Sequence, residues 1–147
     1  QEPKNAVGLI ARGKLWVSIK EFDNALADWR KVEKVADQES SSMYASEARW
    51  LEGETLVNLR RAPAAERALL QSWELRPKDD RLPVLELLLR IYVLQMRREE
   101  ITLILNLMET HRPLSLEEMV LSAAGGVPII AESDALTQLR EFIAGYP

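Results

Sequence analysis

The chain has 147 residues, 47% hydrophobic and 29% charged, with a net charge of -4 and no cysteine. That length fits one ordinary domain with a real core, and the missing cysteines exclude disulfides, thiolate metal sites and cysteine nucleophiles while leaving the compartment open. Acidic and basic residues interleave without the basic stripe of a nucleic-acid binder, and no run reaches the roughly 18 to 20 apolar residues of a membrane-spanning helix.

The first residue is Gln1, with no methionine and no apolar signal segment, which predicts an excised or processed piece of a longer protein. From there, breakers divide the chain into about eight helices, expected near Ala6–Ser18, Phe22–Ala36, Tyr44–Leu59, Pro63–Leu75, Leu82–Met96, Glu99–His111, Leu116–Ala124 and Asp134–Ala144. Spacings of three and four put Phe22, Ala25, Leu26, Trp29, Val32 and Ala36 on one helical face. Leu85, Leu88, Leu89, Tyr92 and Met96 repeat the pattern, as do Ile101, Ile104, Leu105 and Met108, and then Ala135, Leu136, Leu139, Phe142 and Ile143. No stretch alternates with period two, so the fold class is all-α.

Local signals mark several helix ends. Pro63 suits a first turn, where its missing N–H does no harm. Ser115 and Glu118 have capping-box spacing, and Pro77 and Pro113 follow helices they cannot continue. The polar stretch Asp37–Ser42 reads as an extended loop.

The helices pair, and the pairs are alike. Leu9, Gly13, Trp16, Phe22, Ala25 and Trp29 form one set; Gly53, Leu56, Ala65, Leu69 and Pro77 form a second. Leu85, Leu88, Leu89, Tyr92, Ile101, Leu105 and Pro113 form a divergent third, and Ala123, Ala135, Leu139, Phe142 and Pro147 a degenerate fourth. In these columns the chain resembles the tetratricopeptide repeat family, whose unit of about 34 residues is a helix pair with a small residue where its helices approach. Gly13, Gly53, Leu89 and Ala123 are spaced by 40, 36 and 34 residues, and Pro77, Pro113 and Pro147 by 36 and 34. The resemblance implies one repeat domain over 1–147, with units near 6–37, 44–77, 82–113 and 115–147, in a right-handed superhelical stack of antiparallel helix pairs. It also implies a wider third pair, where Leu89 and Ile101 replace the small residues. Gly125, Gly126 and Pro128 imply a short or kinked first helix in the fourth unit, and either that unit caps the stack or the natural protein continues.

No catalytic constellation emerges. His111 is the one histidine and, at a helix end, reads as a favourably placed cation-capable side chain. Glu99–Glu100 and Glu117–Glu118 are neighbours that diverge by about 100 degrees on a helix, so they cannot face each other as a catalytic pair must. Gly125–Gly126 lacks the Lys-Ser or Lys-Thr of a phosphate loop. Arg60–Arg61, Arg97–Arg98 and Lys78–Asp80 read as solvated turns. The expectation is a non-enzyme with no cofactor and no metal.

In the family it resembles, the first helices of the pairs line a peptide-holding groove. The matching columns hold Ile10, Lys14 and Val17, then Trp50, Glu54 and Val57, then Glu86, Arg90 and Val93. The valines make an apolar row, and Lys14, Glu54 and Arg90 alternate in sign. Trp50 is open to two readings: a hot-spot side chain in the groove, or one packed under the Asp37–Ser42 loop or against the first pair. Trp16 and Trp29 fall in core columns, and Trp73 is placed to pack on the next repeat. Co-chaperone members of the family grip a C-terminal carboxylate, but the matching positions here are Ile10, Lys14, Leu51, Pro83 and Leu87, which are not such a clamp. The resemblance therefore implies a scaffold for a peptide or protein ligand, with no nucleic-acid partner and no membrane insertion. The rival expectation is a spacer or homo-oligomerisation element, for which Leu87, Ile91 and Leu94 on the fifth helix offer a second apolar face.

Overall fold

The computed structural model describes residues 5–124, and among them every regular element is helical. The helices are α1 (Ala6–Ser18), α2 (Phe22–Gln38), α3 (Ser42–Asn58), α4 (Ala62–Leu75), α5 (Leu82–Leu94), α6 (Arg98–Glu109) and α7 (Leu116–Ala123), with a single 3-10 turn at Lys78–Asp80. Expected features at Gly125, Gly126, Pro128, the eighth helix and Pro147 lie outside the described residues. The chain divides into two compact units, with the break between Val84 and Leu85.

In the first unit, α1 packs on α2, α2 on α3, and α3 on α4. The apolar stripe of α2 explains its place: Ala25, Leu26, Trp29, Val32 and Ala36 are all buried. Gly13 and Gly53 both mark close approaches between helices. A Cβ on Gly13 would stand 2.5 Å from the ring of Trp29, and one on Gly53 would stand 2.6 Å from Cγ of Leu69. In both pairs the facing residues are 16 apart in sequence. The same register joins Arg12 to the buried Asp28 through two hydrogen bonds, at 2.9 and 2.6 Å. The indole N–H of Trp29 donates to Thr55 Oγ1 at 2.9 Å, tying the first pair to α3.

Four connections share one geometry. After α1, α2, α3 and α5, three residues intervene before the next helix, and the middle one has positive φ: Lys20 (62°), Ser40 (53°), Arg60 (59°) and Met96 (56°). In each, the middle N–H returns to the carbonyl three residues back and the next N–H to the carbonyl five back, as in Lys20 to Val17 and Glu21 to Trp16. This is the Schellman arrangement, which satisfies the last carbonyls of a helix and normally favours glycine. The turn at 39–41 corrects the expected Asp37–Ser42 loop. Asp37 and Gln38 belong to the last turn of α2, Ser42 opens α3, and Ser41 caps it by accepting from the Tyr44 N–H. The longer interval between Gly13 and Gly53 therefore resides in helix: α2 and α3 have 17 residues each, whereas α4 has 14.

The connection from α4 to α5 is longer and is held by side chains. Arg76, itself buried, bonds Ser72 Oγ at 3.1 Å, Glu47 at 3.2 Å and Asp80 at 3.3 Å, while Ser72 Oγ donates to the Ser46 carbonyl at 2.7 Å. Arg81 lies 4.5 Å over the ring of Trp73. Pro63 falls in the first turn of α4 as expected.

In the second unit, Leu85, Leu87, Leu88, Leu89, Ile91, Tyr92 and Val93 of α5 are buried, as are Ile101, Ile104, Leu105 and Met108 of α6. Leu87 and Ile91 thus offer no free surface, and of the expected second face only Leu94 is exposed. Helix α6 stops at Glu109, so His111 lies beyond the helix and not in its last turn, although its N–H still reaches the Met108 carbonyl at 2.9 Å. Arg97 also departs from the solvated turn expected for it: its guanidinium sits 4.7 Å over Tyr92 and bonds Glu100 at 3.1 Å. The capping box at Ser115 is present, and its Glu118 does double duty. Fully buried, Glu118 accepts from Ser115 N at 2.8 Å and takes both Arg112 nitrogens at 2.7 and 3.0 Å. A buried carboxylate is tolerated there because its oxygens meet charged or orphan donors.

Candidate binding face

The columns predicted for a groove divide between the two units. Ile10, Lys14 and Val17 on α1, and Trp50, Glu54 and Val57 on α3, all belong to the first unit, where α1 and α3 touch. Each trio lies beside the glycine that faces its own second helix, so the close approaches Gly13–Trp29 and Gly53–Leu69 set where the columns point. Lys14 is exposed, and Ile10, Val17, Trp50, Glu54 and Val57 are half-buried. Ile10 leans on the cluster of Ala6, Leu9, Val32 and Ala48, together with Val35 and Tyr44. The two trios thus lie on helices that touch, and each of the six side chains keeps some exposure to solvent.

Trp50 is half-buried and has a partner that neither reading named. Its indole N–H donates to the Pro83 carbonyl at 3.1 Å, in the first turn of α5. That bond holds the ring in place and leaves part of it exposed, the condition in which a large aromatic offers contact area at low entropic cost. No signal near Trp50 announces a partner 33 residues away.

Glu86, Arg90 and Val93 belong to the second unit. Glu86 and Arg90 are half-buried, and Nε of Arg90 is buried without a hydrogen-bond partner. Val93 is 3% exposed, so the valine row does not continue as accessible surface at this position.

Several organising side chains lie outside the predicted columns: Arg76, the Arg12–Asp28 pair, the Arg81–Trp73 stack, and a cluster of Glu33, Arg49 and Glu52 between α2 and α3. The register of 16 that places Gly13 against Trp29 also places Arg12 against Asp28, and that signal is present in the sequence. Among the described residues, no three of His, Asp or Glu are grouped to hold a metal, and no helix is long and apolar enough to cross a membrane. No family model matches the chain, and neither a curated protein nor a solved structure does.

Proposed function

We propose that the chain is a non-catalytic interaction module of the tetratricopeptide kind, which holds a peptide or protein segment on the face shared by α1 and α3. One observation carries this reading. Three columns recur from α1 to α3 at an interval of 40 residues, and five of those six side chains are half-buried with Lys14 exposed, whereas Leu9, Ala25, Trp29, Leu56, Ala65 and Leu69 of the neighbouring columns are buried and Trp16, expected in the core, is half-buried. The right-handed superhelical stack of helix pairs belongs to the same reading. A face with Val17, Val57 and part of Trp50 as anchors, and with Lys14 and Glu54 of opposite sign, suits a segment with apolar side chains and mixed charge. The test is selection from a displayed peptide library by the wild type and by the charge swap Lys14→Glu with Glu54→Lys. Peptides enriched by the wild type and lost or charge-inverted with the swap support the reading. Identical peptides from both proteins, or none from either, count against it.

A second reading, self-association as a spacer element, is favoured by a different face. Val7 and Leu15 on α1 are 62% and 66% exposed, and Ile19, just past its end, is 62% exposed. On α3 the columns equivalent to Ala11 and Leu15 are Leu51 and Thr55, both buried against neighbours. A concentration-dependent dimer in sedimentation, abolished by Leu15→Glu, would favour that reading over peptide binding.

A further inference from the structure

Glu33 on α2 meets Arg49 and Glu52 on α3 where the first helix pair joins the second. Arg49 Nη1 lies 3.1 Å from Glu33 Oε2 and 3.8 Å from Glu52 Oε2, and both glutamate side chains are only 13% exposed. Two oxygens, Glu33 Oε1 and Glu52 Oε2, are buried with no hydrogen-bond donor. Two ionised carboxylates beside one guanidinium leave an uncompensated negative charge in a poorly hydrated joint, which is costly. One proton relieves both difficulties, since it cancels the excess charge and supplies the missing donor.

We propose that Glu33 keeps its proton at neutral pH and donates it in a hydrogen bond to Glu52, a latch between α2 and α3 that weakens when that proton passes to solvent base. The surroundings fit the proposal. Burial, and then the hydrogen bond to Glu52 and its charge, push Glu33 up to about 8, against the opposing pull of Arg49 and Arg30. From α1, the cation directed at α2 is Arg12, and Asp28 holds it. On α4, the column equivalent to Asp28 is the buried, uncharged Ala68, with Glu66 and Arg67 beside it in sequence.

A carboxyl raised in the folded state binds a proton on folding. Its contribution is complete below the ordinary value near 4.5 and is lost as the pH rises through about 8. All four tryptophans, Trp16, Trp29, Trp50 and Trp73, lie in the first unit, so their fluorescence follows that unit alone.

The test is urea unfolding of the whole chain by tryptophan fluorescence, for the wild type, Glu33→Gln and Glu52→Gln. From about pH 6 to about pH 9 the wild-type midpoint is expected to fall by about 1 M. Either substitution should remove most of that fall: Glu33→Gln cannot ionise, and Glu52→Gln takes away the competing charge. An equal fall in all three proteins, or no fall in the wild type, overturns the proposal. A carbon-13 titration of the Glu33 carboxyl in the wild type decides the case even where a variant fails to fold. A midpoint above neutrality supports the latch, and one in the ordinary carboxylate range overturns it.

Discussion

The first two helix pairs solve one packing problem with different side chains. In each, a glycine lets the second helix approach and a bulky residue 16 positions later fills the space: Trp29 over Gly13, Leu69 over Gly53. Their polar joints differ. The first pair buries Asp28 against Arg12, whereas Ala68 stands at the same column of the second. The second pair instead anchors its far end through Arg76, with Glu47, Ser72 and the Ser46 carbonyl. The two pairs thus share a close approach between helices while the polar chemistry of each joint differs.

Substitution at the two glycines is expected to have the largest effect. Gly13→Ala should destabilise by about 2–3 kcal/mol, because the facing indole is planar, fully buried and bonded to Thr55. For Gly53→Ala we expect about 1–2 kcal/mol, since Leu69 can repack among rotamers. Chemical denaturation of both variants measures the difference, and equal losses would mean that the ring yields as readily as the leucine.

Arg12→Ala comes next, at about 2 kcal/mol, because it leaves Asp28, 2% exposed, without the guanidinium that satisfies it. Part of the pair remains wet, which holds the figure below that of a fully buried bridge. Arg12→Ala together with Asp28→Ala, which gives the first pair the apolar column of the second, should recover much of the loss. A double variant as unstable as the single one would show that the pair does more than satisfy itself.

The turns should respond least, and in the opposite direction. Lys20→Gly and Arg60→Gly each relieve a side chain held at positive φ and should stabilise by about 0.5–1 kcal/mol, equally in the two pairs. A gain at one turn only would show that their shared hydrogen-bond pattern hides different strain.

How much of this was legible in the sequence follows the same division. Helices and core stripes were legible because period and breakers agree, as in Ala25, Trp29 and Val32, or Ser115 and Glu118. The Schellman turns were not, because none of Lys20, Ser40, Arg60 and Met96 is the glycine that usually marks them. Their absence as a signal made Asp37–Ser42 look like loop, although polar Asp37 and Gln38 are only the exposed side of a helical turn. The columns on α1 and α3 could be read from the spacing of Gly13 and Gly53. The bond from Trp50 to Pro83, and the meeting of Glu33 with Glu52, depend on how separate helices are placed, which no local pattern encodes.

The most direct test of the binding account is a nuclear magnetic resonance titration of the first unit's signals with a peptide selected by the wild type. We expect shifts at the Trp50 indole N–H and at the methyl groups of Val17 and Val57, with Leu15 and Ile19 unmoved. Shifts confined to Val7, Leu15 and Ile19 would contradict the account and move the binding surface to the outer face of α1.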